Sequence, residues 1–305
     1  MNIKVLIMTS IVLSTTHSHA MDMIKTINKQ KVASIHNYWT PENIKKVKPL
    51  PHPKLSEQEM KELINQKQVK ESLNKPIEVI EGSDLTIGTP ERADVNLSPY
   101  SKGGVLLFTK PDKQQYLCSA QFVGQSNILL TAAHCVQDGS TGKWYDNFVF
   151  YRAYNNGGGE KFVANCVVAN TKWSQPKKNY QYDYAFIQTS RHSSHGWLGL
   201  IKDIPYQIWT AIGYPENYGD NKYMYEVRGN KGITAGGVVE MKNNPMRHGN
   251  SGGAWISDKP KDSSGSQYAI GLNSFHSDSY PGSEFGPVFD NDFMLHYQKT
   301  VNNCQ

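Results

Sequence analysis

The stretch Leu130-Thr131-Ala132-Ala133-His134-Cys135 ends an apolar run that begins at Ile128. The run has the length and the flanking residues that are typical of a buried β-strand. A lone histidine in such a place is compatible with an ordinary core residue. Its interpretation therefore depends on two other stretches further along the chain.

Those stretches are Tyr182-Asp183-Tyr184-Ala185-Phe186-Ile187, where an acid opens another strand, and the glycine-rich turn Gly249-Asn250-Ser251-Gly252-Gly253. A serine hydroxyl is a weak nucleophile until an imidazole accepts its proton, and a buried carboxylate must hold that imidazole in the right tautomer. Glycines beside the serine let the backbone turn so that N–H groups point at a developing oxyanion. We expect Gly249 and Ser251 to supply those N–H groups.

Each of the three residues has an alternative interpretation. Asp183 is also a suitable turn residue at a strand start, and Ser251 also suits an ordinary glycine turn. Glu160 and Asp146 are rival acids, but neither opens an apolar strand. Any one motif is weak, whereas three in one order at these spacings form a specific pattern.

The chain around these motifs consists of short β-rich runs separated by turns such as Asp138-Gly139, Asn156-Gly157 and Gly236-Gly237. About a dozen such runs predict an antiparallel barrel or sandwich. The predicted strands are 104–110, 116–123, 128–132, 147–154, 162–169, 184–189, 207–214, 223–230, 234–239, 253–257, 269–274 and 286–289. Residues 292–301 are predicted to form a short C-terminal helix.

Taken together, the motifs closely resemble the trypsin/chymotrypsin superfamily, with its order His, Asp, Ser. The fit is best to the bacterial branch that includes glutamyl endopeptidases such as the V8 protease, and it covers roughly residues 100 to 300. Further similar stretches are Gly213-Tyr214-Pro215, the pattern from Met246 to Gly253, and Tyr38-Trp39-Thr40-Pro41-Glu42.

This resemblance implies an all-β fold of two antiparallel Greek-key β-barrels, with His134 and Asp183 in the first and Ser251 in the second. It implies a serine endopeptidase that acts on proteins or peptides, without metal or organic cofactor. It also implies that Cys118 and Cys135 form the disulfide beside the catalytic histidine, which leaves Cys166 and Cys304 to pair. Two free thiols are the alternative to that second bond.

Two departures from the family pattern stand beside Ser251. Vertebrate relatives have an acid at the position of Asn250, where it pairs with the new N-terminal amine, so that ion-pair switch is in doubt here. Many relatives have a proline at Ala254, and we expect no catalytic consequence from that difference.

Substrate selection is harder to predict. Trypsin-like enzymes have an acid six residues before the serine, whereas this chain has Pro245, which argues against cleavage after Lys or Arg. The run 271–276 resembles the strand that binds substrate backbone around Ser274. His276 and His248 are then candidates to bind an acidic side chain, which predicts cleavage after Glu, although both also suit solvent-facing loops.

The N-terminal region differs from the rest in kind. Lys4, the apolar run 5–13 and the small-residue stretch 18–20 predict a signal peptide over residues 1–20, with an uncleaved apolar N-terminus as the alternative. We therefore expect a secreted protein, or a periplasmic one, with no membrane anchor. Residues 21–90 are predicted to be a propeptide and 91–305 the protease domain. Ser56 with Glu59 forms a capping box that begins a helix with Met60, Leu63 and Ile64 on one face. A solvated linker is the alternative for this segment.

The charge distribution argues against nucleic-acid binding. The chain carries a formal net charge of +5, but Lys4 and a segment 21–80 with eleven Lys against seven acids account for all of it. The remaining residues are balanced, so no basic surface is predicted. We expect a monomer whose partners are its substrates.

Two other function classes remain to be weighed. A catalytically inactive homologue that serves as a binding module would keep the fold without the chemistry. An α/β-hydrolase esterase fails on chain order, since that fold places the serine first. His192 and His195 have only a loose metal-ligand spacing and are interpreted as polar loop residues.

Overall fold

The structure is a computed structural model that describes residues 22–65, 87–175, 178–204, 206–257 and 267–304. The strands of its first half are β1 (Asp22–Thr26), β2 (Lys48–Pro49), β3 (Lys54–Leu55), β4 (Glu91–Arg92), β5 (Gly103–Thr109), β6 (Gln115–Phe122), β7 (Ile128–Thr131), β8 (Asp146–Asn155), β9 (Gly158–Asn170) and β10 (Ala185–Thr189). Those of its second half are β11 (Gly199–Leu200), β12 (Ile208–Gly213), β13 (Tyr225–Ala235), β14 (Val238–Lys242), β15 (Ala254–Ser257), β16 (Tyr268–Leu272), β17 (His276–Ser277) and β18 (Glu284–Pro287). The α-helices are α1 (Lys29–Tyr38), α2 (Pro41–Ile44), α3 (Glu57–Asn65) and α4 (Asn291–Asn303).

Six strands of the first half close into a barrel in the order β9-β10-β7-β6-β5-β8, and β8 pairs back onto β9. Every pairing within this ring is antiparallel. Phe122, Phe150 and Phe162 come from three different strands and pack against one another inside it. A closed barrel has no free edge within the ring, so the ends of its strands can hold a site rigidly.

The second half forms another sheet, in the order β11-β16-β15-β12-β13-β14-β18. An isolated bridge between Phe275 and Phe285 joins the chain beyond β16 to β18, which brings the far strand of the sheet back towards its start. Trp209 and Trp255 stack on each other in its core. The predicted all-β fold with a short C-terminal helix is confirmed.

The predicted strands agree with the observed ones within a few residues, with one exception. The prediction of a single strand over 234–239 is wrong, because Gly236 and Gly237 have φ values of +57° and +75° and form the turn between β13 and β14. Such positive φ values are readily adopted by glycine and rarely by other residues. The hairpin thus turns at the Gly-Gly pair itself.

Residues 22–65 pack against the rest of the molecule. β1 adds to the first barrel by pairing with β9, and α3 begins at the predicted capping box, where Ser56 N donates to Glu59 Oε2 at 2.8 Å. Met60 and Leu63 of α3 are buried against Phe275 and Phe285 of the second half. The predicted boundary between propeptide and protease domain, near residue 90, follows the segment 66–86, which lies outside the described residues, as does the predicted signal peptide.

Helix α4 lies against the first barrel, where Phe293 contacts Phe186 and Tyr184. Its C-terminal end is joined covalently to β9 by the disulfide Cys166–Cys304. Among the described residues, no helix has both the length and the apolar character needed to cross a membrane.

Candidate active site

His134 lies at the end of β7, within a single 3-10 turn that spans Ala133–Cys135. The next residue, Cys135, is bonded to Cys118 of β6, so the turn is tied covalently to the neighbouring strand. Both disulfides expected from the sequence are therefore present. The His134 side chain is almost wholly buried.

Asp183 lies two residues before β10 and is fully buried. Its Oδ1 accepts a hydrogen bond from His134 N at 2.8 Å, and its Oδ2 lies 2.7 Å from His134 Nδ1. The rival acids are occupied elsewhere, since Glu160 pairs with Arg152 and Arg191 and Asp146 pairs with lysines of the N-terminal region. Asp183 is thus the acid that orients the His134 ring and leaves Nε2 available to accept a proton.

Ser251 lies in a tight turn between two glycines with positive φ, +91° at Gly249 and +83° at Gly252. A Cβ on Gly252 would come within 2.2 Å of Thr131 Oγ1 and 2.5 Å of Ser119 O, so the turn requires glycine there. Ser119 N donates to Ser251 O at 2.8 Å, and this bond docks the serine turn onto β6 of the first barrel. The two halves of the molecule meet at this point.

Within the described part of the chain, neither Gly249 N nor Ser251 N forms a backbone hydrogen bond. The positive φ of Gly249 turns the backbone at the residue where the first of these N–H groups is needed. Two N–H groups separated by one intervening residue in such a turn can bind an oxyanion. Their assignment as the oxyanion donors stays a prediction.

The hydroxyl of Ser251 does not bond to His134. Its hydrogen-bond partner is the ring of His52, whose Nδ1 lies 3.0 Å from Ser251 Oγ. His134 Nε2 is buried and has no hydrogen-bond partner among the described residues. The three residues of the predicted triad therefore lie in one site, but the serine is paired with a different histidine.

The three residues predicted to bind substrate all lie beside this histidine or the acid. His248 Nδ1 accepts a hydrogen bond from His52 N at 2.8 Å, and the ring centroid of His276 lies 5.3 Å from that of His52. The hydroxyl of Ser274, for which the sequence predicted only backbone binding of substrate, donates to Asp183 Oδ2 at 2.5 Å. The backbone edge beside it is nonetheless occupied by an extended segment, since β17 pairs with β3 in parallel.

Sequence reasoning missed two residues of the site, His52 and Glu284. His52 Nε2 lies 2.6 Å from Glu284 Oε1, and both side chains are fully buried. The only sequence signals were a histidine between two prolines, Pro51 and Pro53, and an acid that begins the apolar strand β18. Neither signal distinguishes a site residue from a turn residue or a satisfied core acid.

Burial sets the protonation of these groups. Desolvation lowers the pKa of His52 well below 6.5, helped by the nearby His134, His276, Arg247 and His248. Desolvation likewise lowers the pKa of His276 to about 4, with Arg247 next in effect. Burial raises the pKa of Glu284 well above its usual range, opposed by Arg247 and the Ser274 backbone N–H. The His52 ring is therefore neutral at pH 7.

One group of possible metal ligands lies beside this site. The grouping of possible ligands found among the described residues is Cys118, His134 and Cys135. The two sulfur atoms of that grouping are joined in a disulfide and cannot act as thiolates. His192 and His195 lie in an exposed loop, where they contact Ser126, Ser194 and Arg152.

Comparison with known proteins adds a family to this geometry. A family model described as a trypsin-like peptidase domain matches residues 118–295. Among curated proteins, no sequence matches the chain. The fold is similar to that of the protease Anisep from Arthrobacter nicotinovorans, with a TM-score of 0.60, 24% identity and coverage of 70% of this chain and 100% of that one.

Two further solved structures resemble the chain. The thermostable serine protease AL20 from an extremophilic microorganism has a TM-score of 0.58 and 24% identity, over 66% of this chain and 97% of that one. A Glu endopeptidase has a TM-score of 0.58 and 16% identity, over 71% of this chain and 99% of that one. At these identities, the likeness establishes the fold.

Proposed function

The chain belongs to the trypsin-like peptidase family, and from that premise we propose that it is a secreted serine endopeptidase with Ser251 as nucleophile, His134 as general base and Asp183 as the orienting acid. The observation that carries this proposal is the contact of 2.7 Å between His134 Nδ1 and Asp183 Oδ2 beside the glycine turn of Ser251. That contact fixes the tautomer in which Nε2 can accept a proton.

The proposed reaction follows from these positions. His134 Nε2 takes the proton of Ser251 Oγ as the oxygen attacks the scissile carbonyl, and the resulting imidazolium is stabilised by the buried Asp183 carboxylate. The N–H groups of Gly249 and Ser251 would bind the oxyanion. His134 then donates the proton to the leaving amine, and water hydrolyses the acyl-enzyme by the same steps in reverse.

Activity in this scheme requires the N-terminal segment to leave the site, because Ser251 cannot bond to His134 while His52 holds its hydroxyl. We therefore place the maturation cleavage between about residues 75 and 102, after removal of residues 1–20 on export. N-terminal sequencing of the active secreted form tests this. Full activity from a form that still begins near Met21 would refute it.

A preference for Glu before the scissile bond is the finer part of the proposal. Arg247 lies close enough to the His52 ring to lower its pKa by positive charge, so it would also favour an anionic occupant. The rings of His248 and His276 lie beside the same place and can offer N–H donors to a carboxylate. Pro245, in place of an acid, offers no carboxylate to a basic side chain. The raised pKa of Glu284 reduces the negative charge that this residue would otherwise present to a substrate carboxylate.

A fluorophosphonate that reacts only with activated serines separates this enzyme from an inactive homologue that binds without catalysis. The processed chain should be labelled and should hydrolyse a Glu-containing peptide, whereas Ser251→Ala should do neither. Replacing the exposed Ser279 by Ala is the matched control and should leave both readouts unchanged. Absence of labelling in the processed native chain would favour the binding module instead.

A further inference from the structure

The ring of His52 is held by two polar groups, one at each nitrogen. Nδ1 lies 3.0 Å from Ser251 Oγ, and Nε2 lies 2.6 Å from Glu284 Oε1. A neutral imidazole has one acceptor and one donor nitrogen. In the tautomer that carries its proton on Nε2, the Ser251 hydroxyl donates to Nδ1 and the Nε2–H donates to Glu284. Both ring nitrogens are satisfied in a site from which water is excluded, and such a geometry selects an imidazole over an apolar ring.

The backbone on both sides of His52 is fixed as well. Before it, β2 pairs with β6, and Leu50 N donates to Leu117 O at 3.0 Å. After it, His276 N donates to Pro53 O at 3.0 Å, and β3 continues the pairing with β17. Because His52 N also donates to His248 Nδ1, the ring cannot withdraw unless several backbone bonds break together.

Glu284 is the residue that makes the pocket around the His52 ring selective for an imidazole. It is fully buried at the start of β18, and its second oxygen, Oε2, lies 3.6 Å from Arg247 Nη1 and accepts no hydrogen bond among the described residues. An acid buried in a strand without a donor to its carboxyl group is costly. Glu284 already has the charge of Arg247 and the Ser274 backbone N–H nearby, and the His52 ring adds a polar partner at Oε1. Ser251 and Glu284 are therefore spaced so that one imidazole ring reaches both.

The position of His52 prevents a hydrogen bond between Ser251 and His134. His52 takes the hydrogen bond that Ser251 would otherwise make to His134, whose ring centroid lies 6.5 Å from that of His52. His134 remains oriented by Asp183, yet its Nε2 stays without a partner among the described residues. The base and the nucleophile are both in place but are kept from meeting.

We propose that Ser251 and Glu284 form an imidazole-binding site, that His52 is its resident ligand, and that its occupancy keeps the proposed peptidase inactive. The site rests on the proposed function, since inhibition has meaning only if Ser251 is a nucleophile. The bound species is a neutral imidazole, and the residues around it that carry or can carry charge are His134, His248, His276, Arg247 and Glu284.

The test measures the rate at which a fluorophosphonate labels Ser251 in the full chain, at pH 8. His52→Ala should raise that rate roughly 10- to 100-fold, the factor expected for loss of one or two hydrogen bonds. The matched control is Lys54→Ala, two residues along the same segment, which removes only an exposed ion pair to Asp278 and should leave the rate within about twofold. The double variant His52→Ala/Ser251→Ala should not be labelled.

A rescue experiment separates loss of the ligand from general loosening of the segment. Free imidazole added to the His52→Ala chain should slow labelling in a saturable way, whereas it should have no effect on the Lys54→Ala chain, where His52 fills the site. 1-Methylimidazole cannot bond to both groups because it lacks the N–H, so it should slow labelling less. Saturable protection by imidazole supports the site even if His52→Ala also weakens the packing of the segment.

The outcomes distinguish the two proposals. Equal labelling rates for the native, His52→Ala and Lys54→Ala chains, all lost with Ser251→Ala, would overturn the imidazole site and leave the peptidase assignment intact. Faster labelling of His52→Ala without protection by imidazole would also overturn it, since the segment would then block the site by bulk alone. No labelling of Ser251 in any full chain, with labelling of the processed chain, would also overturn the imidazole site, because the segment would then block Ser251 whether or not His52 is present. No labelling of the processed chain would overturn the proposed function, and the imidazole site with it.

Discussion

Ser274 donates a hydrogen bond of 2.5 Å to Asp183 Oδ2, the same oxygen that lies against His134 Nδ1. The contact joins a residue that follows β16 of the second half to the acid of the first barrel. Asp183 thus accepts from His134 N, His134 Nδ1 and Ser274 Oγ, and every one of these donors holds the carboxylate in place. Ser274 is therefore a positioning residue rather than a group that touches substrate through its side chain.

Replacing Ser274 by Ala should lower kcat at least roughly 10-fold, since a hydrogen bond to a charged group contributes about 1.5–3 kcal/mol. KM should change little, because the lost hydroxyl contacts Asp183. Steady-state kinetics on the processed enzyme measure both constants, with Ser279→Ala as the control. A rise in KM at unchanged kcat would assign the hydroxyl to substrate binding instead.

The three proposed catalytic residues should differ in the size of their effects. Ser251→Ala and His134→Ala should each lower kcat by ~10⁶ and leave the fold intact, because nucleophile and base act as a unit. Asp183→Asn should cost less, ~10⁴, because it presents the wrong tautomer of His134. Near-normal turnover in purified Ser251→Ala protein would end the assignment.

The fold and the three residues that meet in the candidate site were predictable because both depend on short-range patterns. Apolar runs between turn residues mark the strands, and the motifs around His134, Asp183 and Ser251 each lie at the start or end of such a run. The pairing of Ser251 with His52 was not predictable, because it joins residues 199 positions apart. The strands that hold His52, β2 and β3, have two residues each and show no periodicity. Glu284 could not be predicted as a site residue for a related reason. An acid in an apolar strand is assigned to a site only when its partner, here His52, is known.

Loss of one disulfide should mainly lower stability, and loss of the other should mainly lower activity. Cys166–Cys304 closes a loop of 138 residues, so replacing both cysteines by Ser should lower the free energy of unfolding by ~3–5 kcal/mol in the chain-entropy model. Removing Cys118–Cys135, with a separation of 17, should cost less stability. It should lower kcat more, because Cys135 follows His134. Denaturant titration and peptide hydrolysis on both variants check this, and the reverse ranking in either measurement would contradict it.

Acidification should weaken the packing of residues 48–55 against the site, because it removes the stabilising contribution of His52. Burial lowers the pKa of His52 well below its unfolded value of 6.5, so its stabilising contribution is present above pH 6.5 and is lost as the pH falls towards the folded pKa. The native chain should therefore be more stable than His52→Ala at pH 7.5, by a margin that shrinks at pH 5.5. Denaturant unfolding of both chains at both pH values measures that margin, and groups that do not contact His52 cancel in the comparison. Glu284 contacts the ring, so the same measurement on Glu284→Gln and on His52→Ala/Glu284→Gln separates its contribution. A margin that stays constant or widens on acidification would show that His52 is protonated in place.

Substrate preference is the most demanding prediction, because it concerns the site after the N-terminal segment has left. His276 N, which now donates to Pro53 O, is the backbone group that an extended substrate would use. A neutral histidine ring can donate one hydrogen bond to a carboxylate, and a protonated one adds charge, worth about 1.5–3 kcal/mol. We therefore expect cleavage after Glu to be preferred roughly 10- to 150-fold over a neutral residue of similar size, with Asp weaker because its shorter side chain reaches less far. His276→Ala should lose this preference and still hydrolyse a neutral substrate slowly, as profiling on a peptide library would measure. Preference for large apolar or basic residues would overturn the glutamyl assignment, and it would leave the proposed catalytic roles of His134, Asp183 and Ser251 untouched.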